Sequence, residues 1–229
     1  MSTRFQNPTV STISIVSGLR RPTWICSGAK QVCILARDAS GSMTGEKARD
    51  AEDASRDLVT ELASPDNKDG FRCAVVDFSS DAQTGQTIED ASTLSGHMPS
   101  LSVSGDTNIT SALERAVNLL DEAERASGQT VTYLRPVVIL FSDGCHNTGP
   151  DPRDVGNSLK QKADLVTVAF GTDADESMLL DLATSPQHFY RCRNGRDLRQ
   201  FLAAVGKTMT RTLAAKTNAT LALAQIRDW

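Results

Sequence analysis

Asp38-Ala39-Ser40-Gly41-Ser42-Met43 is the stretch on which the reading of this chain turns. It follows an unbroken apolar run, Val32-Cys33-Ile34-Leu35-Ala36, and precedes a helix-like segment that starts near Gly45. A run of that kind predicts a parallel strand buried on both faces. One carboxylate and two hydroxyls then stand at alternate positions on the turn from strand to helix, with a glycine among them. These are hard oxygen donors, which suit Mg2+ or Mn2+ far better than Zn2+.

Outward from that turn, the chain alternates. Ala48, Ala51, Ala54, Leu58 and Leu62 recur at three- and four-residue intervals and predict a helix from Glu46 to Ala63. Its small alanines place it close to the sheet, and Ser64-Pro65-Asp66-Asn67 ends it. Phe71 to Phe78 reads as the next strand, and Ala82 to Ile88 as a weaker, antiparallel edge strand. Leu94 to Val103 is a loop or short helix. Gly105-Asp106-Thr107-Asn108 opens a helix with Ile109, Ala112, Leu113, Ala116, Val117 and Leu120 on one face. Val137 to Phe141 is the strongest central strand and runs straight into Ser142-Asp143-Gly144. Asp151-Pro152 starts a further helix, Leu165 to Phe170 is a buried strand, and Asp175 to Ala183 is a short helix. Phe189 to Cys192 is the last strand, and Leu198, Phe201, Leu202, Val205 and Met209 mark the last helix.

This alternation predicts an α/β fold: a doubly wound, mainly parallel, Rossmann-like sheet with one antiparallel edge strand and helices on both faces. The domain is expected to span 30–213. Residues 1–29 form an N-terminal extension, either a hairpin through Val10 to Cys26 or a flexible leader. Residues 214–229 form a C-terminal tail with Leu221, Leu223, Ile226 and Trp229, which either packs back or serves as a docking segment. In such sheets ligands bind beyond the carboxyl ends of the strands. Asp38 and Asp143 both stand at such ends, and Thr107 starts a helix.

Composition narrows the function classes. The 229 residues carry 24 Lys and Arg against 28 Asp and Glu, a formal charge of −4, which disfavours general nucleic-acid binding. No apolar run approaches the roughly 18 residues of a membrane helix. Five cysteines, two of them inside strand-like runs, read as reduced thiols rather than a disulfide framework. Without a signal-peptide core at Met1-Ser2-Thr3-Arg4-Phe5, the expected compartment is the cytoplasm.

Asp38-x-Ser40-x-Ser42, Gly105-x-Thr107-Asn108 and Ser142-Asp143-Gly144 together resemble the von Willebrand factor A (vWA, integrin I-like) domain and its metal-ion-dependent adhesion site. The resemblance covers about residues 30–210. It implies that Ser40 and Ser42 bind the metal directly, that Thr107 binds directly or through water, and that Asp38 and Asp143 act mainly through waters or as hydrogen-bond acceptors behind the direct ligands. It implies Mg2+ or Mn2+ as the cofactor and a partner's Glu or Asp carboxylate as the last ligand, with no catalysis. Tyr133-x-x-Pro136 before the central strand resembles the bacterial TerY/YegL-like branch of tellurite-resistance, stress and defence systems. That branch implies a kinase or PP2C-like phosphatase of the same system as partner, and no cysteine-rich zinc tail follows here. Arg37 departs from the family pattern: it either pairs with an acidic group at the strand end or opposes metal binding.

The alternative is a Mg2+-dependent hydrolase or phosphatase using Asp38 and Asp143. A dehalogenase-type phosphatase needs a second carboxylate two residues after the first, where this chain has Ser40. Gly41 to Lys47 lacks the glycine and lysine spacing of a phosphate loop. Cys145-His146, adjacent in a loop, reads as loop-filling or partner-facing. His97 and His188 read as surface or packing residues, and Arg191, Arg193, Arg196 and Arg199 as a solvated basic face. Asp173 and Asp175 read as loop and cap residues.

Overall fold

A computed structural model describes residues 29–83, 87–126 and 132–226. Strands β1 (Gln31–Asp38), β2 (Phe71–Phe78), β3 (Glu89–Asp90), β4 (Val137–Ser142), β5 (Asp164–Phe170) and β6 (Phe189–Cys192) form one sheet in the order β3-β2-β1-β4-β5-β6. All neighbours pair in parallel except β2 and β3. β1, β2, β4 and β5 are buried almost throughout, which is why they read as apolar runs and not as alternating ones.

Helices cover both faces. Cys33, Leu35 and Ala39 look toward α1 (Glu46–Leu62), α2 (Ala91–His97), α6 (Gly195–Ala215) and α7 (Thr220–Leu223). Val32, Ile34 and Ala36 look toward α3 (Ile109–Ala126), α4 (Arg153–Lys162) and α5 (Glu176–Leu182). The sheet order reverses between β1 and β4, so the crevice of a doubly wound sheet opens beyond their carboxyl ends. Those ends are Asp38 and Ser142-Asp143.

Several sequence expectations shift. The antiparallel edge exists, but at Glu89–Asp90 rather than Ala82–Ile88, with one separate bridge between Phe78 and Ala82. Register explains it: Arg72 lies opposite Asp90, and its guanidinium donates to the Ile88 carbonyl at 2.6 Å. That contact carries two poor strand formers into the sheet. The tail packs back: Leu223 is fully buried and Ile226 packs partly buried against the same core, whereas Leu221 is exposed. The hairpin expected in residues 10–26, and Trp229, lie outside the described residues. His188 is buried and bonded to Ser185 and to the Thr220 carbonyl, and Asp175 caps α5 by accepting from the Met178 amide. The four described cysteines are free thiols, with Cys33, Cys73 and Cys192 buried. Arg191 pairs with Glu176, and Arg199 with Asp53 and Asp57, so the basic face is partly neutralised.

Arg37 pairs, as one of its two readings requires. It lies opposite Asp77 in the β1–β2 ladder. Its Nε donates to Asp77 Oδ1 at 2.6 Å and its Nη2 to Oδ2 at 2.8 Å, with both side chains closed to water. Nη2 also donates to the Pro99 carbonyl at 3.1 Å, which ties the loop after α2 to the sheet. Among the described residues Nη1 has no partner. A buried pair of this kind contributes little over an apolar replacement, but breaking it strands a charge. Asp77→Ala is therefore expected to lose about 3–5 kcal/mol in urea denaturation. The double variant Arg37→Met/Asp77→Leu is expected to return to wild-type stability or above it.

Candidate metal centre

Three segments meet at the carboxyl edge of the sheet. The turn after β1 brings Asp38, Ser40 and Ser42. The loop before α3 brings Thr107, and the end of β4 brings Ser142 and Asp143. Backbone bonds fasten the first two together: the Gly41 amide donates to the Gly105 carbonyl at 2.9 Å, and the Ser104 amide to the Ala39 carbonyl at 2.8 Å. Gly105 has to be glycine here, since its φ is +78° and a Cβ would lie 2.7 Å from Ser80 Oγ. Asn147 joins the third segment by a reciprocal pair. Its Oδ1 accepts from the Thr107 amide at 2.9 Å, and its own amide donates to the Thr107 carbonyl at 3.1 Å. Asn108 then caps α3, accepting from the Ser111 amide at 3.1 Å.

Within this frame the side chains form a chain of short contacts. Ser40 Oγ and Ser42 Oγ are 3.0 Å apart, and Ser42 Oγ donates to Asp143 Oδ1 at 2.6 Å. Lys47 Nζ donates to the other oxygen, Asp143 Oδ2, at 2.5 Å. A Cβ placed on Gly144 would touch Ser42 Oγ at 3.5 Å and Thr107 Oγ1 at 3.6 Å, so those two hydroxyls face the same small space. Asp38 lies deeper. It is wholly buried, with the Ser40 amide on Oδ1 at 2.8 Å and the Ser142 hydroxyl on Oδ2. Burial holds its carboxyl above the usual carboxylate range. The Ser142 and Ser40 hydrogen bonds oppose that rise, and the nearby Asp143 charge adds to it.

All five expected ligands, Asp38, Ser40, Ser42, Thr107 and Asp143, thus come to one place. The donor set fits a small hard cation. Mg2+ takes oxygens at about 2.0–2.1 Å in an octahedron, so adjacent ligands stand about 3.0 Å apart. The two serine hydroxyls already have that separation. No cluster of three His, Cys, Asp or Glu side chains suited to a metal exists among the described residues. The site is therefore one of hydroxyls over carboxylates. Cys145 is exposed beside it, while His146 turns inward and accepts from the Ile109 amide at 3.2 Å through Nδ1. Neither joins the oxygen cluster.

Spacing does not single out Lys47, Asn147 or the role of Ser142. Ser142 stands in the Ser142-Asp143-Gly144 motif beside Asp143, whereas Lys47 and Asn147 matter only through contacts some 40 to 100 residues away in sequence.

The class this defines is a doubly wound α/β domain that presents serine and threonine hydroxyls above two buried carboxylates at the carboxyl edge of its sheet. The von Willebrand factor type A domain profile matches residues 34–204, and the chain belongs to that family. Among curated relatives, inter-alpha-trypsin inhibitor heavy chain H2 of Mus musculus is 27% identical over 161 residues. That alignment takes in 64% of this chain and 16% of the relative. Heavy chain H6 of Homo sapiens is 25% identical over 154 residues, 64% of this chain and 12% of the relative. The chain thus spans less than a fifth of those proteins. Among solved structures, a von Willebrand factor type A protein from Catenulispora acidiphila superposes with TM-score 0.66 at 18% identity, over 80% of this chain and 43% of that one. Proximal thread matrix protein 1 from the mussel byssus, solved with a zinc-occupied MIDAS motif, gives TM-score 0.64 at 23% identity, over 80% and 46%. These structural likenesses establish the fold. No described helix is long and apolar enough to cross a membrane.

Asp38→Asn tests the electrostatics. A carboxyl with a raised folded pKa adds stability only at acid pH, and that contribution is lost as pH rises through the folded value. Above that folded value the ionised Asp38 is thus a cost that asparagine removes, with the Ser142 hydroxyl free to turn and accept. Without divalent ions the variant is expected to melt at or above the wild-type temperature. Saturating Mg2+ should stabilise the wild type by about 2.7 kcal/mol at a hundred times Kd, and the variant hardly at all. Thermal melts with and without Mg2+ read both.

Proposed function

We propose that this domain is a non-enzymatic, metal-dependent protein-binding module that captures a Glu or Asp carboxylate of a partner through Mg2+ or Mn2+. One observation carries the reading: three neutral hydroxyls from two separate segments converge while the two carboxylates are buried beneath them. Ser40, Ser42 and Thr107 would hold the ion, with Asp38 and Asp143 beneath. An ion contacted mainly by neutral oxygens keeps its positive charge and attracts an anionic ligand. Ser42 is exposed, so the position that such a ligand would take faces solvent.

The hydrolase alternative gains no such support. Asp38 is closed to water, and both its oxygens accept hydrogen bonds from Ser40 and Ser142. Asp143 has one oxygen on Ser42 and the other on Lys47. Neither carboxylate offers a free oxygen for attack or for proton transfer.

The finer assignment is also a proposal. The run from Tyr133 to Asp143 supports a TerY/YegL-like adaptor of a bacterial stress or defence complex, with a kinase or PP2C-like phosphatase as partner. The free thiols of Cys33, Cys73 and Cys192 support a reducing cytoplasm.

A peptide bearing one Glu, and the same peptide with Gln, test the capture step on Mn2+-loaded protein. The Glu peptide is expected to bind, to be released by EDTA, and to bind at least about tenfold more weakly to Ser42→Ala, the cost of one lost charge-assisted contact. The variant's circular dichroism should match the wild type. Equal binding of the Gln peptide, or capture unaffected by EDTA, would sink the proposal.

A further inference from the structure

Lys47 is the one side chain at the centre that neither the metal reading nor helix stability explains. It is the second residue of α1, in a first turn where the helix dipole disfavours a cation. Its ammonium nevertheless reaches Asp143 Oδ2 at 2.5 Å. The Asp143 side chain is wholly buried, while that of Lys47 is 34% exposed. The ammonium lies beside the turn at Gly171, whose Cβ position would be in ordinary contact with Lys47 Nζ at 3.5 Å and Cε at 3.6 Å. Among the described residues, Lys47 is the only cationic side chain in an ion pair with either carboxylate of the centre.

We propose that Lys47 is an internal counter-cation that competes with the divalent ion for Asp143 and so sets the affinity of the site. The inference rests on the metal-dependent reading given above. Asp143 is bonded on one oxygen to Ser42, an expected metal ligand, and on the other to Lys47, so the ammonium already neutralises charge that a divalent ion would use. An ion arriving at Ser40 and Ser42 meets a positive charge a few Å away, across the same carboxylate. Repulsion over such a distance in a partly buried site is large enough to change affinity by about tenfold or more. When the ion enters, the ammonium has to give up part of its contact with Asp143. Metal occupancy is thereby made sensitive to ion concentration instead of being permanent.

Calorimetric titration of the full chain with Mg2+ and with Mn2+, comparing wild type, Lys47→Met and Lys47→Arg, tests this. Methionine keeps the stem and removes the charge, and arginine keeps the charge. Lys47→Met is expected to bind either ion about tenfold more tightly than wild type, and Lys47→Arg to bind within a few-fold of it. In EDTA the Met variant should melt below wild type, because Asp143 has lost its partner, and saturating Mg2+ should close that gap. Melts across a Mg2+ series give the affinity by linkage even if the Met variant is too unstable to titrate. Equal or weaker binding by Lys47→Met, with wild type still responding to Mg2+, overturns the inference alone: Lys47 would then orient Asp143 for the ion. No response to either ion in any of the three proteins overturns the metal reading itself.

Discussion

Asp38 and Asp143 lie at the ends of adjacent parallel strands, both closed to water, and the Asp143 charge is near enough to raise the cost of ionising Asp38. Two carboxylates in that position need hydrogen-bond donors or positive charge, and the surrounding structure supplies them. The Ser40 amide and Ser142 hydroxyl hold Asp38; the Ser42 hydroxyl and Lys47 ammonium hold Asp143. The reversal of sheet order between β1 and β4 brings the two acids to one crevice, and the loops above are fastened around them.

The fastening begins one residue before Asp38. Arg37 and Asp77 form a closed ion pair between β1 and β2, and Arg37 also holds the Pro99 carbonyl. From there the loop runs past Ser104 and Gly105, which bond the turn after β1, to Thr107, which Asn147 grips on its backbone. A side chain that looked like a departure from the family pattern thus positions a ligand-bearing loop. Its charge is paired with that of Asp77. The hydroxyls of Ser40, Ser42 and Thr107 need this support because each is short and reaches only where its backbone puts it.

How far the sequence could be read differs by element, for physical reasons. Val32 to Ala36 and Val137 to Phe141 were legible because a parallel strand covered on both faces must be apolar throughout. α1 and α3 were legible because a helix on a sheet shows its period. The five ligand candidates were legible because two of the three clusters are contiguous turns at strand ends. Glu89–Asp90 was not, since its pairing depends on the register set with Arg72 and not on its own propensity. Lys47 and Asn147 were not, because each acts through a tertiary contact that no local pattern signals. The choice between the two readings of Arg37 needed the structure for the same reason: only the β1–β2 register shows Asp77 opposite it.

We propose that a hard divalent cation sits among these hydroxyls, above the two acids. Anomalous diffraction from crystals grown with Mn2+ would locate it. One strong peak is expected within about 2.0–2.3 Å of the Oγ atoms of Ser40 and Ser42. The Asp143 carboxylate is expected to have moved off the Lys47 ammonium. A peak elsewhere, or none, with Ser42 still bonded to Asp143 and Lys47 still in place, would contradict it.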